Sequence, residues 1–225
     1  MRVLAVDTAT DAVVTGVAEL SADAGVSVLA DRTVTDRRRH AELLTTLIAE
    51  SLAQAGLGGP DLDGVVVGCG PGPFTGLRVG LATAAAYGDA LEIPVYGVCS
   101  LDAMVAQEQS AGGVIGTALA VTDARRREVY WALYRDGHRV AGPNVVAPQT
   151  LAEELAGTSI DVVVGTDGFT DRFEATPGST QRPSVTGLVT VAASAVLARS
   201  VPEPLVPLYL RRPDAVELKD QKKRR

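Results

Sequence analysis

At 225 residues the chain is long enough for one large domain or two small ones with a real core. A composition of 46% hydrophobic and 21% charged residues excludes general disorder, and a net charge of −6 makes the body of the chain a poor general nucleic-acid binder, because phosphate contacts need clustered cations. Aromatic residues at 4% are too few for base-stacking platforms, and two cysteines cannot staple a chain of this length.

The chain begins Met1-Arg2 and runs straight into VLAVDTA, which reads as a strand. The apolar run is too short for the core of a signal peptide, and the next one, residues 79–91, is broken by glycines and Asp89 well short of a membrane span. A soluble, cytoplasmic protein with no membrane partner is expected. Cys69 and Cys99 sit in apolar surroundings and are expected to be reduced, buried thiols.

In chain order, Val3–Val6 is a buried-type strand ending at Asp7. Val13–Glu19 and Val26–Val34 alternate apolar and small residues around the turn SADAG, so the three strands read as an antiparallel meander. Helical spacing of Leu43, Leu44, Leu47, Ile48, Ser51, Leu52 and Ala55 predicts a helix over 39–55, stopped by Gly56. A short apolar strand, Val65–Val67, leads through the loop GCGPGPF into a second helix over 75–91. Val95–Val98 is the next strand, and Ser100 is placed to cap a short helix ending at Ala106.

Residues 107–113 (QEQSAGG) are polar and glycine-rich and mark the expected lobe boundary, giving lobes 1–106 and 107–225. Strands are predicted over 117–121 and 128–134, with Asp136-Gly137 as a hairpin turn. A short helix over 148–156, a buried strand over 161–164, a loop over 170–184 and an alanine-rich helix over 186–200 follow. Pro202, Pro204, Pro207 and Pro213 then keep the chain extended over the surface. The pattern is α/β and two-lobed.

Few stretches carry candidate chemistry. Asp7, Thr8 and Thr10 at the end of the first strand could meet a metal-bound phosphate or merely satisfy turn amides. The loop Gly68-Cys69-Gly70-Pro71-Gly72-Pro73-Phe74-Thr75-Gly76 leads into a helix start, which suits an anion. It nevertheless matches no phosphate-loop pattern, and its two prolines remove amides such a cradle would use. In the helix behind it Gly76, Gly80, Ala84 and Gly88 recur every four residues and form a ridge almost without side chains, flanked by Leu77, Leu81 and Leu91 with Arg78 one position round. Glycine costs about 1 kcal/mol per helical position relative to alanine, so the ridge needs a close neighbour, either within the chain or on a partner.

The two histidines, His40 and His138, have no carboxylate or cysteine at ligand spacing, so no metal residue is assigned. No nucleophile motif is present, and no catalytic residue is assigned. Asp123 opens the turn DARRRE, which has Arg125-Arg126-Arg127 where a phosphate loop would want glycines. Two basic clusters, Arg37-Arg38-Arg39 and Lys222-Lys223-Arg224-Arg225, read as solvated faces or frayed ends, with an RNA contact as the alternative.

The segments LAVDTAT, RRHAELL, GPGPFTGLRVG with GVCSL behind it, DARRREVYWALY and PLYLR together resemble the TsaB family, over residues 3–135 and again near 205–212. The resemblance implies an actin/Hsp70/sugar-kinase-like two-lobed fold with a truncated C-terminal lobe. It also implies a role in forming N6-threonylcarbamoyladenosine at position 37 of tRNAs that read ANN codons, as the required non-catalytic partner of the transferase TsaD, with the ATPase TsaE completing the assembly. ATP and metal would be used by those partners, with no cofactor bound by this chain alone and only indirect or weak contact with tRNA.

Where TsaD-like chains carry paired metal-binding histidines in a GVHHxxGH segment, this chain reads Gly97-Val98-Cys99-Ser100-Leu101-Asp102-Ala103-Met104. Ser100 and Met104 stand at the ligand positions, and neither suits a borderline divalent ion. The resemblance places the TsaD contact on the two N-lobe helices, through Leu43, Leu47, Thr75, Gly76, Leu77, Arg78, Gly80, Leu81, Ala84 and Gly88, with a homodimer on the same face when TsaD is absent. It leaves Asp7, Thr8 and Asp123 as vestiges of a nucleotide site. The rival reading is a stand-alone actin-like-fold nucleotide hydrolase or kinase that uses those three residues.

Overall fold

A computed structural model of the protein describes residues 1–36, 39–112, 116–165, 173 and 175–211. Its first three strands, β1 (Arg2–Asp7), β2 (Ala12–Ser21) and β3 (Gly25–Thr35), form the expected antiparallel meander. Helix α1 (His40–Ala55) ends at Gly56, whose φ of 66° is the left-handed stop expected there. Strand β4 (Gly64–Gly68), helix α2 (Phe74–Leu91) and strand β5 (Val95–Val98) complete a five-stranded sheet of order β3-β2-β1-β4-β5.

Beyond helix α3 (Ser100–Ser110) the pattern repeats. Strands β6 (Thr117–Asp123), β7 (Val129–Arg135) and β8 (His138–Val146) form a second meander, followed by α4 (Pro148–Glu154), β9 (Val162–Gly165), the two-residue β10 (Thr176–Pro177) and α5 (Val185–Leu197). The second sheet has order β10-β9-β6-β7-β8, so it reproduces the first.

Alternation along the central strands builds four apolar layers, since successive side chains on a strand face opposite sides. Leu4 and Val6 of β1 pack with Leu44, Leu47, Ile48, Leu81 and Ala84 of α1 and α2, while Val3 and Ala5 pack with Val185, Leu188, Val189, Ala192 and Val196 of α5. In the second sheet Ala118 and Ala120 of β6 face Leu101, Met104 and Val105 of α3, and Leu119 and Val121 face Leu151 of α4. The central helices are therefore exchanged: α3 packs on the second sheet and α5 on the first.

Three sequence expectations change here. Helix α3 runs to Ser110 rather than ending at Ala106, so the expected lobe boundary between residues 106 and 107 falls inside a helix. Its polar end is held by tertiary contacts: Glu108 is buried and accepts from the amides of Ser179 and Thr180 and from the Ser179 hydroxyl at 2.8–3.0 Å. Ser100 does not cap the helix, whose N-cap residue is Cys99. Strand β8 goes beyond the sequence expectation, because Gly142 and Pro143 interrupt its pattern; it is an edge strand, where proline is tolerated. Residues 198–211 form no regular element, as the prolines require.

Close approach of α3 and α5 depends on Gly187, because a Cβ there would collide with the backbone carbonyl of Ala103. In an exposed helix, glycine to alanine gains about 1 kcal/mol. At this contact Gly187→Ala is expected to lower stability by about 1–3 kcal/mol instead, as overpacking does. Urea unfolding of the two proteins gives the sign directly.

Candidate functional site

Strand β1 delivers Asp7 and Thr8 to a point where β4, α2 and α3 converge, and both are completely buried. The Asp7 carboxylate accepts from the Ser100 hydroxyl at 2.5 Å and from the Ala9 amide at 2.9 Å, and Ser100 Oγ in turn accepts from the Gly70 amide at 3.3 Å. Gly68 makes this packing possible, since a Cβ there would fall on the Asp7 carboxylate and within 2.7 Å of Ser100 Oγ. Burial raises the Asp7 pKa to about 6, with the Ser100 and Ala9 hydrogen bonds working in the other direction. Thr8 donates to the carbonyl of Gly76 at 2.7 Å.

Asp7 and Thr8 therefore satisfy groups of their own chain: of the two roles open from the sequence, the carboxylate fills the turn-amide one. Ser100, which the resemblance sets at a metal-ligand position, closes over Asp7, and Met104, which it sets at the other, lies wholly buried in the layer beneath the second sheet. Among the described residues no group of three or more His, Cys, Asp and Glu side chains could hold a metal ion. His40 is buried on α1 with its Nε2 lacking a hydrogen-bond partner, whereas His138 opens β8 in the other sheet.

The bare ridge on α2 is filled from inside the chain, which corrects its assignment to a partner. A Cβ at Gly76 would lie 2.5 Å from the Thr8 carbonyl oxygen; one at Gly80 would collide with Thr8 Oγ1, and one at Gly88 with Val95. Leu77, Leu81, Ala84 and Leu47 are likewise buried, so none can be a contact surface. Of the assigned interface residues, Thr75 and Arg78 are exposed and Leu43 is half-buried. The outward faces of the two helices instead carry Ala41, Thr45, Ala49 and Ala53 on α1, and Ala82, Ala85, Ala86 and Ala90 on α2.

Asp123 ends β6 at the β6–β7 hairpin, where it accepts from the Arg125 amide at 2.7 Å. Arg125, Arg126 and Arg127 all adopt left-handed φ, 61°, 51° and 64°, a conformation costly for residues with a Cβ. Arg211 braces the turn: its guanidinium donates to the Ala124 carbonyl at 2.7 Å and pairs with Glu128. Tyr130, the next residue but one, donates to the Gly72 carbonyl at 3.5 Å. The extended stretch before Arg211 crosses both lobes, with Leu205 packed on the α1–α2 layer, Leu208 on the α3 layer, and the Leu208 amide donating to the Cys69 carbonyl at 2.8 Å.

The motifs DARRREVY and PLYLR are visible in the sequence, but roles for Glu128, Tyr130, Tyr209 and Arg211 are not: Arg211 and Glu128 join the two motifs, while Tyr130 and Tyr209 reach Gly72, Phe74 and Arg78. Arg39 is exposed and pairs with Asp36 at 2.7 Å; Arg37, Arg38 and the Lys222–Arg225 cluster lie outside the described residues. Cys69 and Cys99 are free and buried, and burial pushes their thiols up to about 11 and about 12, aided by the charges of Asp7 and Asp102 respectively. No helix among the described residues is long and apolar enough to cross a membrane.

Two sheets of identical strand order, joined through exchanged central helices, define the actin-like two-lobed fold found also in sugar kinases. A family model described as TsaD, tRNA N6-adenosine threonylcarbamoyltransferase, matches residues 27–223. The chain is 31% identical over 184 residues to the tRNA threonylcarbamoyladenosine biosynthesis protein TsaB of Escherichia coli, covering 76% of this chain and 74% of that protein. It is 52% identical over 216 residues to an uncharacterised protein of Mycobacterium tuberculosis, covering 96% and 94%. The solved structure of YeaZ from Pseudomonas aeruginosa superimposes with a TM-score of 0.74 at 26% identity, covering 93% and 99%. The chain belongs to the TsaB/TsaD family, and within it is TsaB-like.

The raised Asp7 pKa has a defined consequence for stability. A carboxyl group harder to ionise in the folded state than in the unfolded chain destabilises the fold when charged, so stability rises as pH falls from above 6 toward the unfolded value near 4. Between pH 7.5 and 5 the wild type is expected to gain about 1.4 kcal/mol relative to Asp7→Asn. Paired urea titrations at the two pH values check this; an unchanged gap would mean Asp7 is solvated.

Proposed function

We propose that this chain is the non-catalytic partner of a TsaD-type transferase in forming N6-threonylcarbamoyladenosine on tRNA in the cytoplasm, with a TsaE-type ATPase completing the complex. The family supplies the pathway. The observation that carries the non-catalytic role is the sealed Asp7–Ser100 pair. The strand-end carboxylate has both oxygens engaged within the chain, and the two metal-ligand positions hold a serine that closes over it and a methionine buried in the core. A stand-alone hydrolase or kinase would have to expose Asp7 and Thr8, breaking contacts to Ala9, Ser100 and Gly76.

Docking in this reading uses the outward faces of α1 and α2. Alanine and threonine at successive turns let a partner helix approach closely, and the polar rim of Glu42, Arg78 and Asp89 sets orientation. The same face would close a two-fold homodimer when the transferase is absent. ATP and metal act on the partner subunits, and this chain alone binds no cofactor.

Unmodified tRNA incubated with TsaD, TsaE and a source of threonylcarbamoyl-adenylate is expected to be modified only when this chain is added, and the chain alone is expected to do nothing. Ala82→Arg/Ala86→Arg should keep the wild-type unfolding curve and lose co-elution with TsaD, lowering modification at least tenfold, the factor carried by about 1.4 kcal/mol of binding. Modification that proceeds equally well without the chain would sink the proposal. Co-elution of the double variant would sink the docking face alone.

A further inference from the structure

We infer that the tip of the β6–β7 hairpin, together with the end of the C-terminal strap, forms a surface for single-stranded RNA, with arginines for phosphate and an exposed tyrosine for a base. The identity of the polyanion as tRNA rests on the function proposed above; the surface itself does not.

Three segments far apart in sequence meet there. Arg125, Arg126 and Arg127 project from a turn held in left-handed backbone conformation, and all three are exposed. Arg211 fixes that turn through Ala124 and Glu128, and Arg125 and Arg211 both act electrostatically on the Tyr130 phenol. Two residues before Arg211, Tyr209 packs its ring 4.9 Å from that of Phe74, and Arg78 lies 4.0 Å over the Phe74 ring while its Nε donates to the Tyr209 hydroxyl at 3.3 Å. Tyr209 remains 38% exposed, although its edge is braced by Phe74 and Arg78.

The charge balance at this place is opposite to that of the whole chain. Among the described residues Asp123 and Glu128 are acidic neighbours, and both are engaged: Asp123 accepts from the Arg125 amide, and Glu128 pairs with Arg211. Against them stand Arg78, Arg125, Arg127 and Arg211, in a protein of net charge −6. Guanidinium groups bind phosphate in a planar fork, and bases in unpaired RNA stack on aromatic rings and on guanidinium planes. An acidic peptide would use the cations but has no need of a rigid, exposed, cation-braced ring, so the aromatic part of the cluster favours RNA. Low aromatic content across the chain does not count against this, because one held ring serves one base.

The test is binding of an unmodified, ANN-decoding tRNA transcript to the full chain alone, followed by fluorescence anisotropy at two salt concentrations. Arg125→Gln/Arg127→Gln is expected to bind about tenfold more weakly and to lower the slope of log K against log salt by about 1–2, one for each phosphate that is no longer neutralised. Tyr209→Leu, which keeps an apolar contact with Phe74, should weaken binding about fivefold at unchanged slope, as removal of one stacked base does. Arg199→Gln, an exposed change elsewhere, should stay within twofold, and circular dichroism should show every variant folded.

Absence of wild-type binding, a glutamine variant within twofold of the wild type, or displacement of the tRNA by polyglutamate at equal charge would each overturn the proposal; the last would identify an acidic polypeptide as the partner. Because no transferase is present, failure here leaves the modification requirement standing, and failure of that requirement leaves this measurement standing.

Discussion

A carboxylate with no water around it must find its hydrogen bonds in the chain, and Asp7 finds them in elements that are far apart in sequence. Its backbone ends the central strand of the first sheet; one oxygen is held by the turn that follows, and the other by the first residue of α3, a helix whose apolar face belongs to the second sheet. The same serine is held by the loop leaving β4. One buried group thus ties the first meander, the glycine-rich loop and the second lobe together, and it lowers stability when charged because burial outweighs its hydrogen bonds.

From that anchor the neighbouring glycines acquire reasons. Gly68 must lack a side chain because the carboxylate occupies that space, and Gly76 and Gly80 must lack one because Thr8 lies against them. A loop whose sequence suits an anion is filled by protein. The lobes are stitched by the exchange of α3 and α5 and by the strap through Leu205 and Leu208.

The first sheet and the long helices are legible in the sequence because alternation and helical periodicity report burial directly, as Leu4 and Val6 against Val3 and Ala5 do. What is not legible is the neighbour of each feature. Spacing shows that the α2 ridge is bare, but nothing local says that Thr8, 68 residues before Gly76, covers it. Resemblance then favours the wrong neighbour. The end of α3 is hidden for a related reason: Glu108 reads as a solvated residue until Ser179 and Thr180 are brought against it from 71 and 72 residues away. Strand β8 is obscured by a local signal that is real, since Pro143 does weaken a strand, and an edge position tolerates it.

The motifs DARRREVY and PLYLR each anchor an apolar residue inward, Val129 and Leu208, and turn Arg125, Arg126, Arg127 and Tyr209 outward. Three consecutive arginines in left-handed conformation are held by the turn's own hydrogen bonds, from the Ala124 amide to the Glu128 carbonyl, from the Glu128 amide to the Arg125 carbonyl and from the Arg125 amide to Asp123. Arg211 adds a clamp on the Ala124 carbonyl and the Glu128 carboxylate. The clamp sits at the rim, with Arg211 and Glu128 half-buried and Arg125, Arg126 and Arg127 exposed. Its effect is to fix the direction in which cationic side chains leave the surface, beside a tyrosine whose ring is fixed in the same way by Phe74 and Arg78. Pre-arranged cations reduce the entropy that an anion's binding would otherwise consume, so the strain in this turn is best understood as what holds a binding surface ready in a protein whose strand-end cleft is already filled.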